Sequence, residues 1–194
     1  PNVPANTFAE YVAWVKQDIP NRSVFAIPSE GSIPHFTVMS IAASAGLPFK
    51  PIPYKGTSPM VTDILGGHVP VAINPVADVA DHHKAGKLKV LAVGGTQRSP
   101  LLPQVPTLAE LGQKTVGGVE WYGFFAPKGT PPAVISGYTQ ALKKILEMPD
   151  LKAQFSPRGW QPNPQSPEDL AADMRRELEG WRNLVTQSGY AQLD

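Results

Sequence analysis

The sequence predicts an α/β fold built on a parallel or mixed sheet. Three strand-to-helix alternations follow one another in roughly the first 90 residues, a succession that favours parallel pairing over an antiparallel sandwich. Glycine and proline contribute 17 and 22 residues and fall between apolar runs without a repeat, the pattern of short elements joined by tight connections. With 194 residues, 42% of them hydrophobic, the chain can fill one sizeable core or two modest lobes without disulfide or metal.

Thr7 is placed to cap a helix over 8–16, with Glu10 at the third position as in a capping box and Phe8, Val12 and Val15 as its apolar stripe. Residues 22–27 read as a strand, PSEGSIP as a junction, and 35–45 as a helix stopped by Gly46. A second strand covers 49–54. In KGTSP, Thr57 or Ser58 is the candidate cap and Pro59 suits the first helical position, ahead of the apolar face of Met60, Val61, Ile64 and Leu65. Gly66 and Gly67 stop that helix. A strand at 69–73 meets Asn74 and Pro75, a helix runs to Lys84, and a further strand covers 87–93. Beyond it a short helix fits 107–111, a strand 121–126 and helices 133–146 and 149–155. A final helix starts at Ser166, Pro167 and Asp169, aligns Leu170, Met174, Leu178, Trp181 and Leu184, and reaches Gln187.

Composition excludes several classes. Seventeen basic and sixteen acidic side chains nearly cancel, so no polybasic surface marks a nucleic-acid partner. The absence of cysteine removes disulfides, thiolate nucleophiles and cysteine-ligated metals. No apolar run approaches the roughly 20 residues of a membrane span, and no basic start leads into an apolar signal core. Pro1 in place of an initiator methionine suggests a processed or truncated chain.

Open α/β folds collect ligands outside the carboxyl ends of strands, which singles out three loops. In SEGSIPH, Ser29 and Ser32 supply hydroxyls, Gly31 permits close approach of backbone, and a helix starting near Pro34 can aim amides at an anion. His35 can donate to a carboxylate or pack in the core. Glu30 would repel a carboxylate if turned inward, and would instead accept an ammonium group. In YKGTSP, Tyr54 offers a ring and a phenol, Gly56 a close turn, and Thr57 and Ser58 hydroxyls and helix-start amides. Lys55 either attracts an anion or faces solvent. Asn74, in the third loop, can orient a ligand or cap its helix.

Catalysis has weaker support. Asp78, Asp81, His82 and His83 invite a metal reading, but only Asp78 and His82 have face-sharing i,i+4 spacing, and a structural or surface role is preferred. No HExxH, Walker, GxSxG or dinucleotide motif occurs, and the paired glycines at 66–67, 94–95 and 117–118 read as terminators. Neither catalytic residue nor cofactor is assigned; a hydrolase would need Ser32, His35 and an acid to converge in the fold. Trp121 and Tyr122 are candidate cleft-edge aromatics.

The order and spacing of PSEGSIPH, IPYKGTSPMVTDILGGHVPVAINP, KAGKLKVLAVGGTQRSPLLPQVPTLAELG and VEWYGFFAPKGTPPAVI resemble the tripartite tricarboxylate receptors, the periplasmic Bug proteins. The resemblance covers the whole chain. It implies a type II periplasmic-binding-protein-like fold with one complete lobe, residues 1–120, and a C-terminal return segment, 121–194, of an incomplete lobe one. It implies a non-enzymatic periplasmic receptor that gives a small organic acid or amino acid to membrane transporter subunits. Ser29, Gly31, Ser32, His35, Thr57, Ser58 and Asn74 match the binding positions, while Glu30 departs from the small or neutral residue usual there. Family receptors carry additional residues before the equivalent of Pro1, so an oligomer or a missing N-terminal segment would complete the fold. The non-transport alternative is a ligand-sensing or protein-interaction scaffold.

Overall fold

Parallel pairing forms around a buried, apolar strand. Phe25, Ala26 and Ile27 of β1 (Val24–Ile27) are buried, and β2 (Lys50–Pro53) pairs with it in parallel, Val24 opposite Lys50 and Ile27 opposite Pro53. On the other side of β1, residues 71–73 add a parallel bridge from Ala26 to Ala72. The Ala26 amide donates to Val71 O at 3.0 Å and the Ile73 amide to Ala26 O at 3.1 Å. β1 is therefore central, and the chain crosses from β2 over β1 to reach 71–73. The computed structural model describes residues 2–113, 121–188 and 190.

The alternation of β1 sends its side chains to opposite faces. Phe25 and Ile27 join Phe8, Tyr11, Val15, Val38, Ile41 and Phe49 in the main core, formed with α1 (Phe8–Lys16) and α3 (Ile33–Ala45). Tyr11 stacks on Phe49 at 6.1 Å, and Phe25 meets the same ring edge-on at 5.6 Å. Burial pushes the Tyr11 phenol well above the ordinary tyrosine value. Ala26 faces the other way and packs with Met60 and Val69 beneath α4 (Thr57–Gly66). Helices on both faces make this an α/β layer arrangement.

Helix ends agree with local chemistry. Thr7 accepts the Glu10 amide at 3.1 Å, while the Glu10 carboxylate reaches back to the Asn6 amide at 2.7 Å instead of that of Thr7. Gly46 and Gly67 terminate α3 and α4 at φ 64° and 75°, a conformation that costs glycine least. Other expectations shift. Arg22 ends a short helix, α2 (Ile19–Arg22), because the Ser23 amide bonds back to Ile19 O, and β1 begins at Val24. The anticipated strand at 87–93 contracts to one parallel bridge, Val93 to Thr107. The helix expected at 107–111 is a set of turns, though Thr107 and Glu110 exchange capping-box bonds of 2.7 and 3.0 Å. Arg98 holds Glu110 through paired bonds, which with the Thr107 amide lower its carboxyl to about 2.

The chain divides into two compact units, residues 1–119 with 180–194, and residues 120–179. The second contains α6 (Pro132–Glu147), α7 (Pro149–Phe155), a short 3₁₀ turn and most of α8 (Pro167–Ser188). Ser166 caps α8 through the Asp169 amide at 3.0 Å. Not one residue of 121–179 is buried, and the strand expected at 121–126 forms no ladder among the described residues. The glycine pair 117–118 lies outside the described residues.

Candidate functional site

The three loops singled out by the sequence emerge together, since β1, β2 and 71–73 run parallel and all end at one edge. The first two are also linked directly. The Tyr54 amide donates to Ile27 O at 2.8 Å and the Gly56 amide to Pro28 O at 3.2 Å, which closes the turn after β2 onto the turn after β1.

Loop one satisfies itself internally. Gly31, at φ 66°, turns its amide onto His35 Nδ1 at 3.0 Å. Ser32 Oγ donates to Ser29 O at 2.7 Å and accepts the His35 amide at 3.4 Å, which makes Ser32 the N-cap of α3. His35 is buried, stacks on Phe36 and meets Tyr190 edge-on at 5.4 Å. Burial lowers its pKa, with the Glu30 carboxylate opposing. A neutral ring whose Nδ1 accepts carries its proton on Nε2. Ser32 and His35 do not form a nucleophile–base pair, because Ser32 meets the His35 backbone and the Gly31 amide occupies His35 Nδ1. Glu30 is exposed.

Loop two is more open. Gly56, at φ 93° and ψ −176°, takes the cap position expected of Thr57 or Ser58, and α4 begins at Thr57. The correction has a physical cause: only glycine reaches that backbone conformation without strain, and it brings Thr57 and Ser58 inside the first turn. Their amides are then among those with no helical acceptor. Neither hydroxyl makes a hydrogen bond among the described residues. Tyr54 turns its phenol onto Asp63 Oδ2 at 2.7 Å, and burial with that bond pushes its pKa up to about 12.

In the third loop, Pro75 occupies the cap of α5 (Val76–Lys84), so Asn74 is not the helix cap. Asn74 Oδ1 is buried without a partner among the described residues. A cavity of about 270 Å³ is lined by Thr57, Ser58, Val61 and Asp78. Asp78 lies in the first turn of α5 and is exposed. Its spacing in the sequence points to a surface role; its place beside the same cavity as Thr57 depends on packing between helices. Tyr190 was also missed, since nothing local in the sequence ties it to a loop more than 150 residues earlier. His83 accepts the Val90 amide at 3.0 Å, a structural role. Among the described residues no cluster of three or more histidine and acidic side chains is placed to hold a metal ion.

Comparison with known proteins assigns the family. Residues 1–190 match the tripartite tricarboxylate transporter family receptor. The chain belongs to that family. It is similar to the BugT protein of Bordetella pertussis, 31% identical over 170 residues, covering 88% of this chain and 52% of that protein. A solute-binding protein from Polaromonas, solved without ligand, superposes with a TM-score of 0.80 at 28% identity, over 96% of this chain and 63% of that one. An R. palustris protein solved with adipate gives 0.79 at 25% identity, over 99% and 64%. The chain thus spans about half to two thirds of the length of these relatives. Membership carries the type II periplasmic-binding-protein-like fold and the periplasmic setting.

Proposed function

We propose that the chain supplies the carboxylate-binding lobe of a receptor that captures a small organic acid or amino acid and presents it to a tripartite tricarboxylate-type transporter. The observation that carries the reading is the convergence of three strand-end loops at one sheet edge, where Thr57 and Ser58 offer amides and hydroxyls without partners in the described protein. Helix-start amides and hydroxyls are suited to carboxylate oxygens. At the third loop Asn74 Oδ1, buried with no partner among the described residues, adds an acceptor suited to a donor group on the ligand and not to its carboxylate. Ser29, Gly31, Ser32 and His35 shape the adjoining wall, with the Ser29 carbonyl, the Gly31 amide, the Ser32 hydroxyl and His35 Nδ1 engaged in holding the loop; Tyr54 and Gly56 set its second turn.

In the same reading, residues 121–194 are the return segment of lobe one, and the strands that would cover it belong to a segment outside this sequence. The absence of any buried residue in 121–179 supports this, as does the matched share of the relatives. Calorimetric titration with mono-, di- and tricarboxylates and amino acids tests the function. Saturable binding that weakens about tenfold or more when Thr57 and Ser58 are both changed to valine is expected, from the loss of two hydrogen-bonding groups. Uniform absence of binding across the panel would falsify it.

A further inference from the structure

The cavity at the start of α4 is lined by groups of opposed chemistry. Thr57 and Ser58 offer donors from α4, Asp78 offers only acceptors from α5, and Val61 of α4 completes the lining. The Asp78 carboxylate forms no ion pair or hydrogen bond among the described residues, whereas that of Asp81, on the same helix, lies 4.0 Å from Lys84. The edge adds a second exposed acid, Glu30, against one lysine, Lys55. A carboxylate seated on the α4 amides therefore shares the cavity with a negative charge that no described residue pairs.

Building on the ligand site proposed above, we propose that Asp78 is a specificity-determining residue, favouring carboxylates that also carry an ammonium group over those with a second carboxylate. The ammonium would pair with Asp78 as the ligand carboxylate meets Thr57 and Ser58; a second carboxylate would face like charge. An acidic residue in the first turn of a helix also has a purely structural use, through the helix dipole. That use alters stability, but it does not discriminate between ligands.

The test titrates the whole chain and its Asp78→Asn variant with pentanoate, 2-aminopentanoate, 4-aminobutyrate and glutarate. These probes share a carboxylate and a similar carbon chain and differ in the added charge. The wild-type chain is expected to bind an amino-bearing probe about tenfold or more tighter than glutarate, and Asp78→Asn to reduce that ratio to within about threefold, largely through weaker binding of the amino-bearing probe. A wild-type preference for glutarate, or a ratio that the variant leaves above threefold, overturns the role of Asp78 while the ligand site stands. If neither protein binds any probe, the role of Asp78 and the ligand site fall together.

Discussion

Residues 24–27 and 121–126 are both short apolar runs, VFAI and WYGFFA, and they meet different ends. The first is flanked by β2 and by 71–73 and buried by α1, α3 and α4. The second forms no ladder among the described residues, and Tyr122 and Phe124 are each 80% exposed. Trp121 donates its indole N–H to Glu177 at 2.9 Å, and Tyr122 lies near Trp160, but these contacts enclose nothing. The difference teaches that an apolar run with strand propensity becomes a core strand only when other segments supply both ladder partners and a lid.

The sharpest way to break this comparison is to truncate a buried residue of the first run. Ile27→Ala, at a fully buried position, is expected to destabilise the first unit by about 2–5 kcal/mol, read from the urea midpoint. A loss below about 1 kcal/mol would mean that the core is looser than its packing implies. Gly67→Ala should cost about 1–2 kcal/mol, because the residue sits at φ 75° and an added Cβ would lie 2.5 Å from Asn2 Nδ2. Thermal unfolding with an unchanged midpoint would contradict that. Thr7→Ala should cost about 1 kcal/mol through loss of the cap on α1, measured by the same unfolding curves.

Charge gives a smaller, pH-dependent effect. The Glu110 carboxyl is lowered from 4.5 to about 2 in the folded chain, so its contribution is fully present above 4.5 and disappears as pH falls toward 2. Arg98→Met should flatten the acid limb of the stability profile in that window and leave the region above pH 6 nearly parallel to wild type. At the small end, Phe124→Ala should change stability by no more than about 0.5 kcal/mol, as for other exposed positions. A cost resembling that of Ile27→Ala would show that 121–126 is covered in solution by something other than the described residues.

Much of this contrast was legible locally. The helices over 8–16, 149–155 and from 167 follow their caps, prolines and apolar spacing. The three ligand loops were visible as glycine- and hydroxyl-bearing junctions after apolar runs. Their internal use was not. Whether Gly31 donates to His35 or to a ligand, whether Tyr54 faces a cleft or Asp63, and whether Thr57 caps a helix or opens it each depends on a neighbour's position. The 87–93 run shows the same limit, since its expected strand depended on a partner that pairs at only one position.

By itself the sequence determined where helices begin and end, because caps, proline φ and glycine's access to positive φ act within a turn or two of chain. It also carried the order of motifs by which the family is recognised. Tertiary structure decided the rest: which apolar runs became buried strands, which loop groups bonded one another, and that Asp78 shares a cavity with Thr57 and Ser58. Those outcomes depend on side chains distant in sequence arriving within a few ångströms of one another, and on burial that no isolated segment can provide.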